Sequence, residues 1–180
     1  MIERCLGVSA LLGFTAFGAL AQSDESTARR AFGGIQPVVS PGGQMVAFSW
    51  QGAICRMPIE GGTLTRLTRG EGWDVEPAWS PDGKRIAFVN APGFFAGPLR
   101  LILAEDGSPS KLPGEILARD RLQFHPDGTR LLGMFSVSGQ PDRLQWFDLG
   151  SGALTPVNLG SLDSMRRAMM KWALSPDGAA

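Results

Sequence analysis

Short apolar runs of strand length alternate along this chain with tight clusters of Pro, Asp, Ser and Gly. Three of the runs are Met45-Val46-Ala47-Phe48, Ile86-Ala87-Phe88-Val89 and Leu131-Leu132-Gly133-Met134-Phe135. They are nearly continuous rather than alternating, as in strands packed on both faces. Across a turn, each is preceded by a shorter run: Pro37-Val38-Val39, Pro77-Ala78-Trp79 and Leu122-Gln123-Phe124. A second pair of strands follows in each unit. The spacing predicts Ile54–Met57 with Leu64–Leu67, Leu99–Ile102 with a short run near Leu112, and Leu144–Phe147 with Leu154–Val157.

The first turn of each unit is one recurring phrase. Its copies are Ser40-Pro41-Gly42-Gly43, Ser80-Pro81-Asp82-Gly83, His125-Pro126-Asp127-Gly128 and Ser175-Pro176-Asp177-Gly178, at intervals of 40, 45 and 50 residues. Pro presets φ for the second place of a type I turn. Asp hydrogen-bonds nearby backbone amides, and Gly supplies the left-handed residue that closes a hairpin through a bulge. The leading Ser caps the turn with its hydroxyl, and His125 can do so with a ring nitrogen. Gly42 stands where the other copies have Asp, so the first turn is expected to be looser. A second turn follows at Glu60-Gly61-Gly62, Glu105-Asp106-Gly107 and Gly150-Ser151-Gly152. Two hairpins per unit make four strands, and that period is the mark of a β-propeller blade. The predicted fold is all-β: an arc of about three four-stranded blades over 35–70, 75–115 and 120–160, with the start of a fourth over 168–180.

Pro77-Ala78-Trp79-Ser80-Pro81-Asp82-Gly83-Lys84-Arg85-Ile86-Ala87-Phe88 resembles the TolB-type (PD40, WD40-like) propeller repeat. Glu60-Gly61-Gly62 followed by Thr65-Arg66-Leu67-Thr68 is similar to the end of the same repeat, and the third copy departs with Phe124-His125 in place of Trp-Ser. The resemblance covers residues 35–180 and implies a fold. Such repeats occur in periplasmic TolB, which binds a peptidoglycan-associated lipoprotein and Tol proteins. They also form non-catalytic propellers joined to prolyl-oligopeptidase-like peptidases and secreted amidohydrolases. Gly70-Glu71-Gly72-Trp73-Asp74 is most similar to the amidohydrolase-linked kind.

With 24 Gly and 13 Pro the chain is turn-rich, as repeated hairpins require. Its 17 basic and 17 acidic residues cancel, so charge gives no footprint for nucleic acid or an anionic membrane. The one basic cluster, Arg166, Arg167 and Lys171 among Met165, Met169, Met170 and Trp172, is either a lipid- or partner-binding stretch or a solvated loop leading into the next strand. The N-terminus reads as an export signal over 1–21: Arg4, an apolar stretch from Leu6 to Leu20, and Ala19-Leu20-Ala21 as cleavage pattern. The apolar core is too short for a comfortable membrane span, and Cys5 precedes it, which rules out a lipobox. Cleavage leaves a flexible segment over 22–34 and Cys55 as the sole cysteine, read as a small buried hydrophobe. A periplasmic or extracellular location follows, with no integral span in the mature chain.

Catalytic chemistry finds no footing. His125 is the only histidine and already serves a turn. No Gly-x-Ser-x-Gly elbow, metal-binding histidine cluster or phosphate-binding glycine loop is present, so no cofactor is expected. The one carboxylate group to weigh is Glu71, Asp74 and Glu76 with Trp73, in a loop expected to join the first two blades. At a propeller mouth it would receive a cation or the amino end of a peptide; alternatively it solvates the loop, with Asp74 fixing the turn and Trp73 anchoring it. Asp82, Asp127 and Asp177 belong to turns on separate blades. Ring closure needs about four or more blades, so a truncated or fragmentary chain is expected ahead of self-association into a ring. The expected function is that of an exported, non-catalytic module that binds a protein, peptide or other ligand at the propeller mouth or open edge. The alternative is the propeller portion of a secreted hydrolase whose catalytic domain lies elsewhere.

Overall fold

The computed structural model describes residues 35–92, 96–136, 142–158 and 173–177. The export signal, the segment 22–34, the cluster at Arg166, Arg167 and Lys171, and Gly178 of the fourth phrase lie outside the described residues.

Each repeat folds as a four-stranded antiparallel meander, and the chain is an all-β propeller arc. β1 (Ile35–Val39), β2 (Met45–Trp50), β3 (Ala53–Pro58) and β4 (Thr65–Arg66) form the first blade. The second holds β5 (Trp73–Trp79), β6 (Arg85–Ala91), β7 (Ala96–Leu103) and β8 (Pro109–Ser110). The third holds β9 (Leu117–Phe124), β10 (Arg130–Ser136), β11 (Arg143–Asp148) and β12 (Leu154–Pro156). β8 precedes the expected run at Leu112, whose side chain instead packs against the core.

The apolar runs are continuous because the second blade is buried on both faces. Ile86, Phe88 and Ile102 pack with Ala47, Ile54 and Leu67 of the first blade. Ala87, Val89, Leu99 and Leu101 pack on the other face with Leu131, Phe135 and Phe147 of the third. Burying a side chain such as Ile86 or Leu99 contributes roughly 1.5–3 kcal/mol relative to exposure. Polar bonds stitch the same seams: Trp79 Nε1 donates to Val38 C=O at 3.2 Å, Arg56 to Glu105 C=O at 2.8 Å, and Arg85 to Gly128 C=O at 3.3 Å.

The turn phrases work as their residues suggest. The fourth residue's N–H donates to the first residue's C=O at 2.8 Å in the first and second copies and 2.9 Å in the third. Gly43, Gly83 and Gly128 have φ of 71°, 70° and 73°, where any other residue is strained. Ser80 Oγ donates to Asp82 Oδ1 and accepts from Arg85 N–H, while Asp82 accepts from Lys84 N–H. The first turn closes as tightly as the second. What Gly42 removes is the carboxylate, not the backbone closure. Pro41 lies 4.0 Å from the position a side chain on Gly83 would take, and Pro81 lies 3.7 Å from that on Gly128. The phrases therefore stack at one end of the arc. The chain enters the fourth phrase beside the third blade, where Leu174 N–H donates to Gln123 Oε1 at 3.1 Å, and Ser175 bonds Asp177 within the phrase.

One pairing was not legible in the sequence. The start of β7 runs past the short β8 and pairs with the start of β9, Gly97 opposite Ala118, which fuses the second and third blades into one sheet. On its other side Gly97 lets β6 approach closely, since a Cβ there would sit 2.1 Å from Asn90 C=O.

Candidate functional site

The first strands of successive blades, β1, β5 and β9, contact one another across the seams and so line the axial side of the arc. Each carries a register shift against its neighbour. At each shift one non-glycine residue turns left-handed: Gln36 at φ 55°, Glu76 at 55° and Asp120 at 59°. A left-handed residue with a side chain costs about 1–3 kcal/mol and persists only where the surroundings impose it.

These bulges gather polar groups from separate blades. Gln36 Nε2 donates to Glu76 Oε1 at 2.6 Å, and Glu76 N–H donates to Gln36 Oε1 at 2.9 Å. This reciprocal pair ties the first blade to the second. Burial pushes the Glu76 carboxyl above its usual range and the Asp120 charge pushes the same way, against the Arg121 charge and the Gln36 bond. Beside the pair lies a cavity of about 200 Å³ lined by Gln36, Pro37, Val38, Glu76, Pro77, Arg121 and Leu122. A shallower groove of about 450 Å³ continues toward the turn phrases past Val39, Trp79, Gln123 and Phe124. Val39 is 53% exposed there.

The acidic segment is distributed differently from the loop expected of it. Trp73, Asp74 and Glu76 belong to strand β5, and only Glu71 precedes it. Asp74 is 3% exposed. Its carboxylate accepts from Asn90 Nδ2 at 2.6 Å and from the Thr68 hydroxyl, whose oxygen in turn accepts from Ile54 N–H at 2.9 Å. Ser49 donates to Asp74 C=O. Asp74 thus latches two blades from within the seam, while Glu76 reaches Gln36 on the axial side. The bulge between them separates their surroundings, so the three carboxylates do not share a site. Trp73 remains 42% exposed.

His125 caps its turn with a ring nitrogen. Nδ1 lies 2.8 Å from Asp127 Oδ2 and 3.2 Å from Asp127 N. It donates to the first when protonated there and accepts from the second when not. Its ring meets Trp146 edge-on at 5.3 Å, and Arg130 lies over the same indole at 5.0 Å. Cys55 is fully buried, and burial pushes its thiol up. Among the described residues, no group of three or more His, Cys, Asp or Glu side chains is placed to hold a metal.

Gln36, Asp120 and Arg121 carry no motif and escape a reading by residue type. A signal existed for Gln36: like Glu76 it stands four residues before a turn phrase and directly before Pro. Asp120 breaks that register by one residue.

No protein-family model matches the chain, and no curated protein matches its sequence. Solved structures match its shape. TolB from Acinetobacter baumannii superposes with a TM-score of 0.56 at 21% identity, over 68% of this chain and 31% of that one. A putative TolB from Agrobacterium tumefaciens gives 0.53 at 25% identity, over 66% and 46%. An oligogalacturonate lyase from Vibrio parahaemolyticus gives 0.50 at 18% identity, over 67% and 38%. The chain is thus similar in fold to TolB-like propellers and spans less than half the length of each of these neighbours.

Proposed function

We propose that this chain is an exported, non-catalytic propeller module that receives a protein or peptide on the axial side of its first strands. The observation that carries the reading is the convergence of Gln36, Glu76, Asp120 and Arg121 from three blades beside a cavity and a half-apolar groove. Prolines and Trp79 give such a groove contact area at low entropic cost, and the amide, carboxylates and guanidinium give it direction. The similarity in fold to solved TolB structures supports the same reading. A photo-crosslinking residue at Val39, in the groove, is expected to trap a polypeptide in cells that express the chain. The same probe at Ile59, exposed but away from the groove, is expected to trap none. Crosslinks from Ile59 alone, or from neither, refute it.

A second reading keeps the chain as the propeller portion of a secreted hydrolase. It is favoured by Gly70-Glu71-Gly72-Trp73-Asp74, which resembles amidohydrolase-linked propellers. Purified protein is expected to turn over no peptide or amide substrate. Turnover abolished by His125→Ala would make His125 catalytic, and turnover that survives it would reveal a site elsewhere.

A further inference from the structure

The cavity beside Gln36 and Glu76 has apolar walls and a small polar collar. Pro37, Val38, Pro77 and Leu122 supply the walls; Gln36, Glu76 and Arg121 supply the polar groups. The Asp120 charge also acts on Glu76. Two carboxylates thus stand against one guanidinium, and one negative charge is left uncompensated. Gln36 Nε2 occupies Oε1 of Glu76 at 2.6 Å. Among the described residues, Oε2 receives no hydrogen bond from a side chain. Burial and Asp120 make the ionised acid costly, while the Arg121 charge and the Gln36 bond favour it. A cation entering the cavity removes that cost without moving any strand.

We infer that this cavity is a lysine subsite: the polypeptide received on the axial side inserts one lysine side chain, with its ammonium on Glu76 Oε2 and its methylene stem against Pro37, Pro77 and Leu122. The inference rests on the binding role proposed above and names the anchor of that polypeptide.

Three features select lysine. An arginine fork pairs best with both oxygens of a carboxylate, and Gln36 already holds one of them. The remaining oxygen suits a compact ammonium. A peptide's amino terminus, the other common ammonium, would carry its first amide and carbonyl into the cavity. Pro37 and Pro77 have no N–H to offer there, and buried backbone groups left unpaired are costly. A lysine stem has no polar group behind its head and buries readily along apolar surface. Size agrees as well. The cavity of about 200 Å³ falls below the range of about 300–1,000 Å³ that encloses a drug-sized ligand, and it suits a single long side chain. The adjoining groove past Val39, Trp79 and Phe124 then takes the apolar residues that flank the lysine.

The test presents the immobilised chain with an equimolar pool of short peptides, N-acetylated and C-amidated. Their central residue is Lys, Arg, norleucine or Nε-acetyl-lysine, the flanks are randomised among uncharged residues, and retained peptides are counted by mass spectrometry. Blocked ends leave the central side chain as the only cation. Lysine is expected to be retained about tenfold or more over norleucine, the size of a hydrogen bond to a charged group, with Arg between them and Nε-acetyl-lysine no better than norleucine. Glu76→Gln removes the charge and keeps an acceptor for Gln36. It is expected to erase the lysine preference while the same apolar flanks are still retained. Asp120→Asn, a change that the left-handed backbone there tolerates, is expected to weaken the preference without abolishing it. Peptides retained with Lys no better than norleucine overturn the lysine subsite and leave the binding groove standing. No retention at all overturns both. A lysine preference undiminished in Glu76→Gln places the ammonium elsewhere and overturns the inference. If Glu76→Gln does not fold, an undiminished preference in Asp120→Asn overturns it equally.

Discussion

Replacing Asp74 by Ala removes a carboxylate acceptor from the middle of a buried seam. Two donors lose their partner: the Asn90 amide at 2.6 Å and the Thr68 hydroxyl. Hydrogen bonds to a charged group contribute about 1.5–3 kcal/mol each, and a buried donor left unpaired costs about 1–3 kcal/mol. Allowing for overlap between these two measures, Asp74→Ala is expected to cost about 3–5 kcal/mol. That is a large fraction of the roughly 5–15 kcal/mol by which domains are stable. Asp74→Asn keeps one acceptor but turns an amide donor toward the second partner, so it is expected to cost about half as much. Urea unfolding followed by tryptophan fluorescence measures both, since Trp79 sits in the same seam. A double-mutant cycle of Asp74→Asn with Thr68→Val is expected to show a coupling of about 1 kcal/mol or more. The reasoning fails if Asp74→Ala costs under about 0.5 kcal/mol, the range of ordinary surface substitutions. It fails also if the cycle shows no coupling, because the latch depends on the Thr68 bond.

Two further outcomes follow from single contacts. Gly97→Ala would drive a methyl to 2.1 Å from Asn90 C=O, where backbone on both sides cannot give way, so it is expected to lower stability by about 3 kcal/mol, the top of the usual overpacking range. Thermal melting measures it, and an unchanged midpoint contradicts the close approach of β6 to β7 at Gly97. The hydroxyl and amide of Thr129, with a smaller share from His125, hold Asp127 down to about 2. Its contribution to stability is present above the ordinary 3.8 and lost as pH falls toward 2. A carboxyl NMR titration of Asp127 is expected to have its midpoint near 2, and a midpoint at 3.8 refutes the capped turn.

The turns were legible because their chemistry is local. Pro81, Asp82 and Gly83 each satisfy a demand of one hairpin, and the demand recurs in every blade. The doubly buried strands were legible for a similar reason, since Ile86-Ala87-Phe88-Val89 leaves no polar face. Asp74 and Glu76 were not. They look alike in the sequence, but one meets Thr68 and Asn90 in a seam and the other meets Gln36 from 40 residues away. A left-handed bulge at Glu76 separates the two, and residue type does not announce such a bulge where glycine is absent; its place four residues before the turn phrase is shared by Gln36 but not by Asp120. The β7–β9 pairing was hidden in the same way, because it depends on how short β8 turns out to be.

The blade order and the stacking of the turn phrases underlie every claim about the axial face, and they can be measured directly. Paired cysteines at Pro81 and Gly128, or at Pro41 and Gly83, join neighbouring blades, and the buried thiol of Cys55 stays out of the reaction. Under mild oxidation in dilute solution, each neighbouring pair is expected to form an intramolecular disulfide. The pair at Pro41 and Gly128, two blades apart, is expected to remain reduced. Efficient bridging of that distant pair, with the neighbouring pairs unreacted, would contradict the arc and the binding face built on it.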